Sequence, residues 1–297
     1  MMADLVVVGH IAIDRVITAG WSRTQLGGPP TYVSLVARRL GLDIGVITKV
    51  GGDLPSSFRR QLQKMGIDLQ GRMVEDAETT RFILDYSGVE RRLSVESVCD
   101  EIRPEDVHDP PEVVLIAPIV GEVPPSTAST LGEARFVALD PQGFVREIRR
   151  NGVVQPRRWF DPDLLERVTV YKSSGEELEL VTGEIQPLRG LRKILDLGAE
   201  VAIATVGGQG ALMLTEDGGF RIPVHGAVRI VDPTGAGDVF MGGFLSEYLR
   251  GEEALWCGAM GAAVSSCIIE TAGAVMDASN VEIRRRAENL YEEVTRL

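Results

Sequence analysis

The chain of 297 residues has little of what builds metal centres or covalent frameworks. Its three cysteines, Cys99, Cys257 and Cys267, show no Cys-x-x-Cys spacing, which argues against a disulfide scaffold and a zinc site. Its three histidines, His10, His108 and His225, are scattered and read as structural or surface residues rather than metal ligands. Positive charge is also scarce. With 31 Lys and Arg against 43 Asp and Glu, the net charge of −12 argues against a general binder of nucleic acid or anionic membranes. An anionic ligand would have to be held by local donors. No apolar stretch approaches the length of a membrane span, and MMADLVVVGH has no basic region before its short apolar run. The expectation is a cytoplasmic protein without a signal peptide.

What is present is the balance of an ordinary globular protein, 44% hydrophobic and 25% charged. The length suits one large α/β domain or two small ones. Short apolar, β-branched runs predict strands at Leu5–Val8, Gly45–Val50, Val113–Ile116, Phe136–Leu139, Val168–Tyr171, Val201–Thr205, Ala211–Leu214 and Phe220–Pro223. Helical patterns fall at Thr31–Leu40, Ser56–Met65, Leu178–Thr182, Pro187–Leu197, Asp238–Leu249, Glu253–Ile269 and Val281–Val294. Continuous apolar strands alternating with helices imply a mainly parallel sheet covered on both faces. Two stretches break that rhythm: residues 11–26, and residues 79–95, TTRFILDYSGVERRLSV, which alternate around a Ser87-Gly88 turn like a hairpin exposed on one face. Together they suit a small β-sheet lid on a single domain spanning residues 1–297.

One segment concentrates the chemistry. In IVDPTGAGDVFMGGFL, residues 230–245, Pro233 and Thr234 break a strand, and Gly235 and Gly237 permit close backbone approach to a ligand. The residues that follow have helical apolar spacing. The amides of Gly235, Ala236, Gly237 and Asp238 would then lie at a helix N-terminus, where N–H groups and the helix dipole favour an anion. Asp238, in the first turn, is either a cap or a base able to deprotonate a hydroxyl that attacks a phosphoryl group.

The string DPTGAGDVFMGGF resembles the C-terminal signature D-T-x-G-A-G-D of the ribokinase-like, or PfkB, carbohydrate kinases, with Pro233 in place of the usual threonine. The resemblance implies a three-layer α/β/α fold with a mainly parallel central sheet and a small β-sheet lid. It also implies transfer of a nucleotide's terminal phosphoryl group to an alcohol, with Asp238 as base and residues 235–237 as an anion hole. Other segments match in the family's order. Asp14, in GHIAID, corresponds to the acid that accepts substrate hydroxyls; alone it could equally be a turn residue. Gly27 and Gly28 resemble the family's glycine pair beside the substrate and at the lid hinge, and Tyr32 stands where most members have asparagine. Asp53, in VGGD, reads as a cap for the helix at Ser56.

On the nucleotide side, YKSSGEE resembles K-x-N-x-x-E. Lys172 and Ser174 are expected near the nucleotide, and Glu177 is expected to order magnesium through water. Thr205, Gly207 and Gly210, in TVGGQG, resemble the turn lining the phosphates, and Gly273 falls in a nucleotide-side turn. Relatives often hold a monovalent cation, potassium, near the position of Asp232. Finally, DPQGFVR, with Asp140 and Gln142, resembles a stretch of the family's myo-inositol kinases, which also carry tyrosine after the glycine pair and K-x-S. The expected acceptor is a cyclitol such as myo-inositol, with nucleosides and other sugars as alternatives; the expected donor is ATP or another nucleotide. An exposed apolar lid face of Phe82, Leu84 and Leu93 would suit a homodimer through the lid.

Overall fold

The computed structural model describes residues 3–88, 92–226 and 229–297. Its main sheet runs, edge to edge, Thr295–Arg296, Gly218–Ile222, Ala211–Thr215, Val201–Thr205, Val170–Ser174, Phe136–Leu139, Val113–Ile116, Leu5–Val8 and Ile44–Ile47. The six strands from Val201–Thr205 to Ile44–Ile47 are parallel, and the three at the other edge are antiparallel. The reason lies in runs such as VVLI, FVAL and the VAIA of Val201–Thr205, which are apolar at every position and so must be covered on both faces. Leu5, Val7, Leu115 and Ile203 pack on one face against Val33, Ala37, Phe240 and Phe244. Val114, Ile116, Val137 and Ala202 pack on the other against Leu131, Leu178, Leu191 and Ile194. The carboxyl ends of the parallel strands line up along one edge, where open α/β sheets gather their ligands.

Over that edge stands a second sheet of four strands, in the order Ser22–Gly27, Ala12–Ile17, Arg81–Asp85 and Arg92–Ser97. Ser87 and Gly88 follow the third of these strands, and residues 89–91 of the expected hairpin lie outside the described residues. The expectation of an exposed apolar face is corrected. Phe82 and Leu84 are only 4% and 6% exposed, because with Ala12 and Val16 they close down on Ile119 and Val120. Leu93 is half-buried beside them. The apolar side of this sheet faces inward, and with it goes the ground for a dimer through that face.

Buried polar groups root the lid. The His10 ring, wholly buried, faces the Asp100 carbonyl through Nε2 at 3.0 Å and the Thr80 hydroxyl through Nδ1 at 2.8 Å. Burial lowers its pKa, so the ring is neutral; Nε2 donates to the carbonyl and Nδ1 accepts. Glu122, also buried, accepts from the backbone N–H groups of His10, Ile119 and Val120. Asp53 does not cap the helix Ser56–Lys64, whose first turn has no side-chain cap. It accepts instead from the Thr79 backbone and hydroxyl, each at 2.7 Å, and pairs with Arg81 at the start of a lid strand. Among the described residues, no helix is long and apolar enough to cross a membrane.

Candidate active site

The helix Ala236–Tyr248 begins at Gly235, whose φ of 79° lies in the left-handed region. A side chain there would be strained, and its Cβ would stand 2.5 Å from the Tyr32 ring. Tyr32 itself is buried on the helix Pro29–Arg39 with its hydroxyl 3.4 Å from Gln25 Nε2. It is the shelf under the turn, and its ring also lines the cleft above. The Ala236 amide bonds to the Pro233 carbonyl at 3.3 Å, which removes one of the four expected anion donors. For Gly235, Gly237 and Asp238 the described residues offer no such carbonyl partner.

This turn separates two cavities. A cleft of about 240 Å³ lies between it and the lid, walled by Asp14, Tyr32, Asp140, Gln142, Arg146, Lys172, Ser174, Glu177 and Asp238, and roofed by Phe82, Leu84, Tyr86 and Leu93. A second cavity of about 370 Å³ lies on the far side, lined by Gly207, Gly210, Val224, Ile230, Phe240, Ala262 and Ile269. Thr205, Pro233, Ala236 and Gly237 border both.

Asp238 is half-buried in the first turn of the helix and lines the lid-side cleft. Burial, reinforced by the neighbouring Asp140 carboxylate, pushes its pKa up to about 7, against the opposing pull of Lys172, Gln142 and Arg146. Its Oδ1 accepts from Gln142 Nε2 at 3.1 Å, and Gln142 Oε1 in turn accepts from Arg146 at 2.9 Å. Asp140 is bound to the Lys172 ammonium at 2.6 Å, both nearly fully buried. Burial opposes the Lys172 charge, but Asp140, Glu177 and Asp238 outweigh it and hold the ammonium above the usual lysine range. The Lys172 Nζ lies 2.7 Å from where a Cβ on Gly237 would stand, so a fixed positive charge adjoins the helix start.

The expected residues therefore gather, with some changes of place. Asp14 lies within the lid strand Ala12–Ile17, not at the end of the first core strand, and is 5% exposed against Gly27. A Cβ at Gly27 would fall on its carboxylate, so the glycine there makes room for the acid. Gly28, at φ 84°, opens the helix that carries Tyr32. Lys172 and Ser174 line the lid-side cleft and not the second cavity. Ser174 and Glu177 form a reciprocal cap at the start of the helix Gly175–Thr182. Burial opposes the Glu177 charge, yet Arg146, 3.6 Å away, and Lys172 hold its pKa below the usual carboxylate range.

Asp232 accepts from Thr234 N, from Gln25 Nε2 and from Gly273 N, at 2.9, 2.9 and 3.2 Å. Those three donors make it a tie between the signature turn, the lid strand and the loop at Gly273. The arrangement does not suit a direct potassium ligand, and no step is assigned to one. Among the described residues no three metal-ligating side chains converge. Glu177, whose carboxylate lines the cleft, is the residue that would hold magnesium through water; that ion keeps most of its ligands as water and phosphate oxygens. Sequence alone does not mark Arg146, Gln25 or the apolar lining of the second cavity as site residues. Arg146 closes the DPQGFVR string and was within reach; Gln25 is one polar residue in a strand and carries no such signal.

Comparison with known proteins bears on family and fold. The family model for pfkB family carbohydrate kinases matches residues 2–280. A cytidine kinase of Thermococcus kodakarensis is 30% identical over 272 residues, which cover 88% of this chain and 94% of that protein. A nucleoside kinase of Methanothermobacter thermautotrophicus is 27% identical over 306 residues, covering 91% and 90%. Among solved structures, a pyrophosphate-dependent kinase in the ribokinase family, complexed with a pyrophosphate analog and myo-inositol, superposes with a TM-score of 0.78 at 23% identity. The match covers 89% of this chain and 94% of that one, and at such identity it speaks for the fold.

Proposed function

The chain belongs to the pfkB family of carbohydrate kinases, phosphotransferases acting on sugar or nucleoside alcohols, and we propose that it phosphorylates a cyclitol of the myo-inositol kind from ATP. One observation carries the reading: Asp238 stands at a helix start that divides a roofed polar cleft from an apolar cavity. The acceptor occupies the cleft, with hydroxyls toward Asp14 and Arg146, while Asp140 acts at one remove by fixing Lys172. Asp238 takes the proton of one hydroxyl, and the freed oxygen pair attacks the donor's terminal phosphorus. The bond from that phosphorus to its bridging oxygen breaks, and its electrons leave on the donor. The Lys172 ammonium and the amides of Gly235, Gly237 and Asp238 adjoin the charge that develops. Magnesium, held through water near Glu177, would neutralise the donor's phosphates. The roof of Phe82, Leu84, Tyr86 and Leu93 keeps water from competing with the acceptor.

Two features bear on the choice of substrates. Val224 and Ile230 are 45% and 67% exposed on the rim of the second cavity. A nucleotide base would cover them, whereas a pyrophosphate donor has no use for that surface. A second acceptor reading, a nucleoside, draws support from the apolar roof, which could hold a base, and from the two nucleoside-class relatives. Coupled assays over inositols, pentoses, hexoses and nucleosides, each with ATP, ADP and pyrophosphate, decide among them. Activity on a nucleoside with none on myo-inositol would remove the cyclitol reading. For the chemistry, Asp238→Asn should fold normally and lose at least about a hundredfold in turnover; turnover near that of the wild type would sink the base assignment.

A further inference from the structure

Gln142 is held between two partners of opposite demand. An arginine can only donate and a carboxylate only accept, so Gln142 Oε1 must face Arg146 and Nε2 must face Asp238. A flipped amide would set oxygen against carboxylate and NH₂ against guanidinium. Arg146 is itself fixed, donating to the Ile119 carbonyl at 2.9 Å and lying 3.6 Å from Glu177. The chain of contacts from Ile119 through Arg146 and Gln142 thus ends on one particular oxygen of Asp238.

We propose that Gln142 is a positioning residue, not chiefly a substrate contact: by occupying Oδ1 it fixes the Asp238 carboxylate so that Oδ2 receives the acceptor's proton. The inference rests on the reading of Asp238 as base and goes beyond it. It assigns the two carboxylate oxygens different tasks and makes the Asp-x-Gln spacing part of the base. When the proton arrives, the Gln142 N–H still donates to Oδ1, now the carbonyl oxygen, so the contact survives both protonation states. Asp140, Lys172, Arg146, Glu177 and Tyr32 are the other charged or titratable groups around this carboxylate. Of these, Arg146 touches the Gln142 side chain, and Asp140 Oδ1 accepts from the Gln142 backbone N–H at 3.4 Å.

The test uses Gln142→Met, which keeps the length of the side chain and removes the donor, and Gln142→Glu, which keeps the Arg146 contact and sets a second acid against Asp238. The Asp238 carboxyl is followed by carbon NMR in selectively labelled full-length protein, assigned through Asp238→Asn, alongside pH profiles of kcat/KM. Losing a donor to a carboxylate should raise the Asp238 pKa by about one unit in Gln142→Met, and Gln142→Glu should raise it further. The acid limb of the rate profile should move with it, and kcat should fall about tenfold or more with little change in acceptor KM. If Gln142→Met leaves the carboxyl titration unmoved and raises only the acceptor KM, Gln142 is a substrate contact and the proposal fails. The NMR titration reads the contact whether or not an acceptor has been found. Loss of the kinase reading, seen as no turnover by wild type on any acceptor, is therefore distinguishable from loss of this one.

Discussion

Asp238 carries its charge where charge is costly, half-sheltered from water and next to a second carboxylate. Its pKa of about 7 lies above the unfolded value near 3.8, so its proton is held more tightly in the folded chain. Two outcomes follow with a definite sign. The acid limb of kcat/KM against pH should fall near pH 7, since the base must be free of its proton. The charge should also cost stability progressively as pH rises from about 4 to 7, and by a constant amount above that. Asp238→Asn should accordingly melt higher than wild type at pH 8, with the gain fading toward pH 4, as calorimetry across that range would show. The identity of this residue was legible because its motif is long. The grip of Gln142 on it was not, because 96 residues separate the two and side-chain orientation leaves no periodic trace.

At the scale of elements, the parallel core was readable because apolar runs buried on both faces admit few other uses. Other pieces were silent. The helix Pro125–Leu131 is PSTASTL, rich in hydroxyl side chains and without an apolar stripe, so its pattern resembles a loop. The short ladder of Arg146–Ile148 with Val154–Pro156 is too brief and exposed to alternate visibly. The turn before Ala236–Tyr248 yields the clearest element-level outcome. Gly235→Ala should cost about 1–2 kcal/mol from the left-handed backbone alone, and more from the Tyr32 ring beneath it. Denaturant unfolding measures that loss, and the donor KM should rise with it; an unchanged midpoint would show that the turn relaxes freely.

Across the molecule, a buried amide helps tie the lid to the signature turn, beside the bond from Arg23 to the Ala272 carbonyl. Gln25 reaches from its lid strand to Asp232, which also receives the Gly273 N–H. Gln25→Leu leaves that carboxylate short of a donor and should destabilise the fold by about 1–3 kcal/mol. A loosened roof should also let water reach the donor, seen as faster nucleotide hydrolysis without acceptor. Nothing in the residue pattern signals this link, since Gln25 and Asp232 are 207 residues apart.

The stretch from Pro233 to Gly237 is a party wall, with a face in each chamber. An occupant of one chamber that shifts this wall reshapes the other, and any such coupling is reciprocal, each ligand changing the other's affinity by the same factor. Substitutions in Pro233–Gly237 made to change what one chamber holds should therefore be assayed for binding in both.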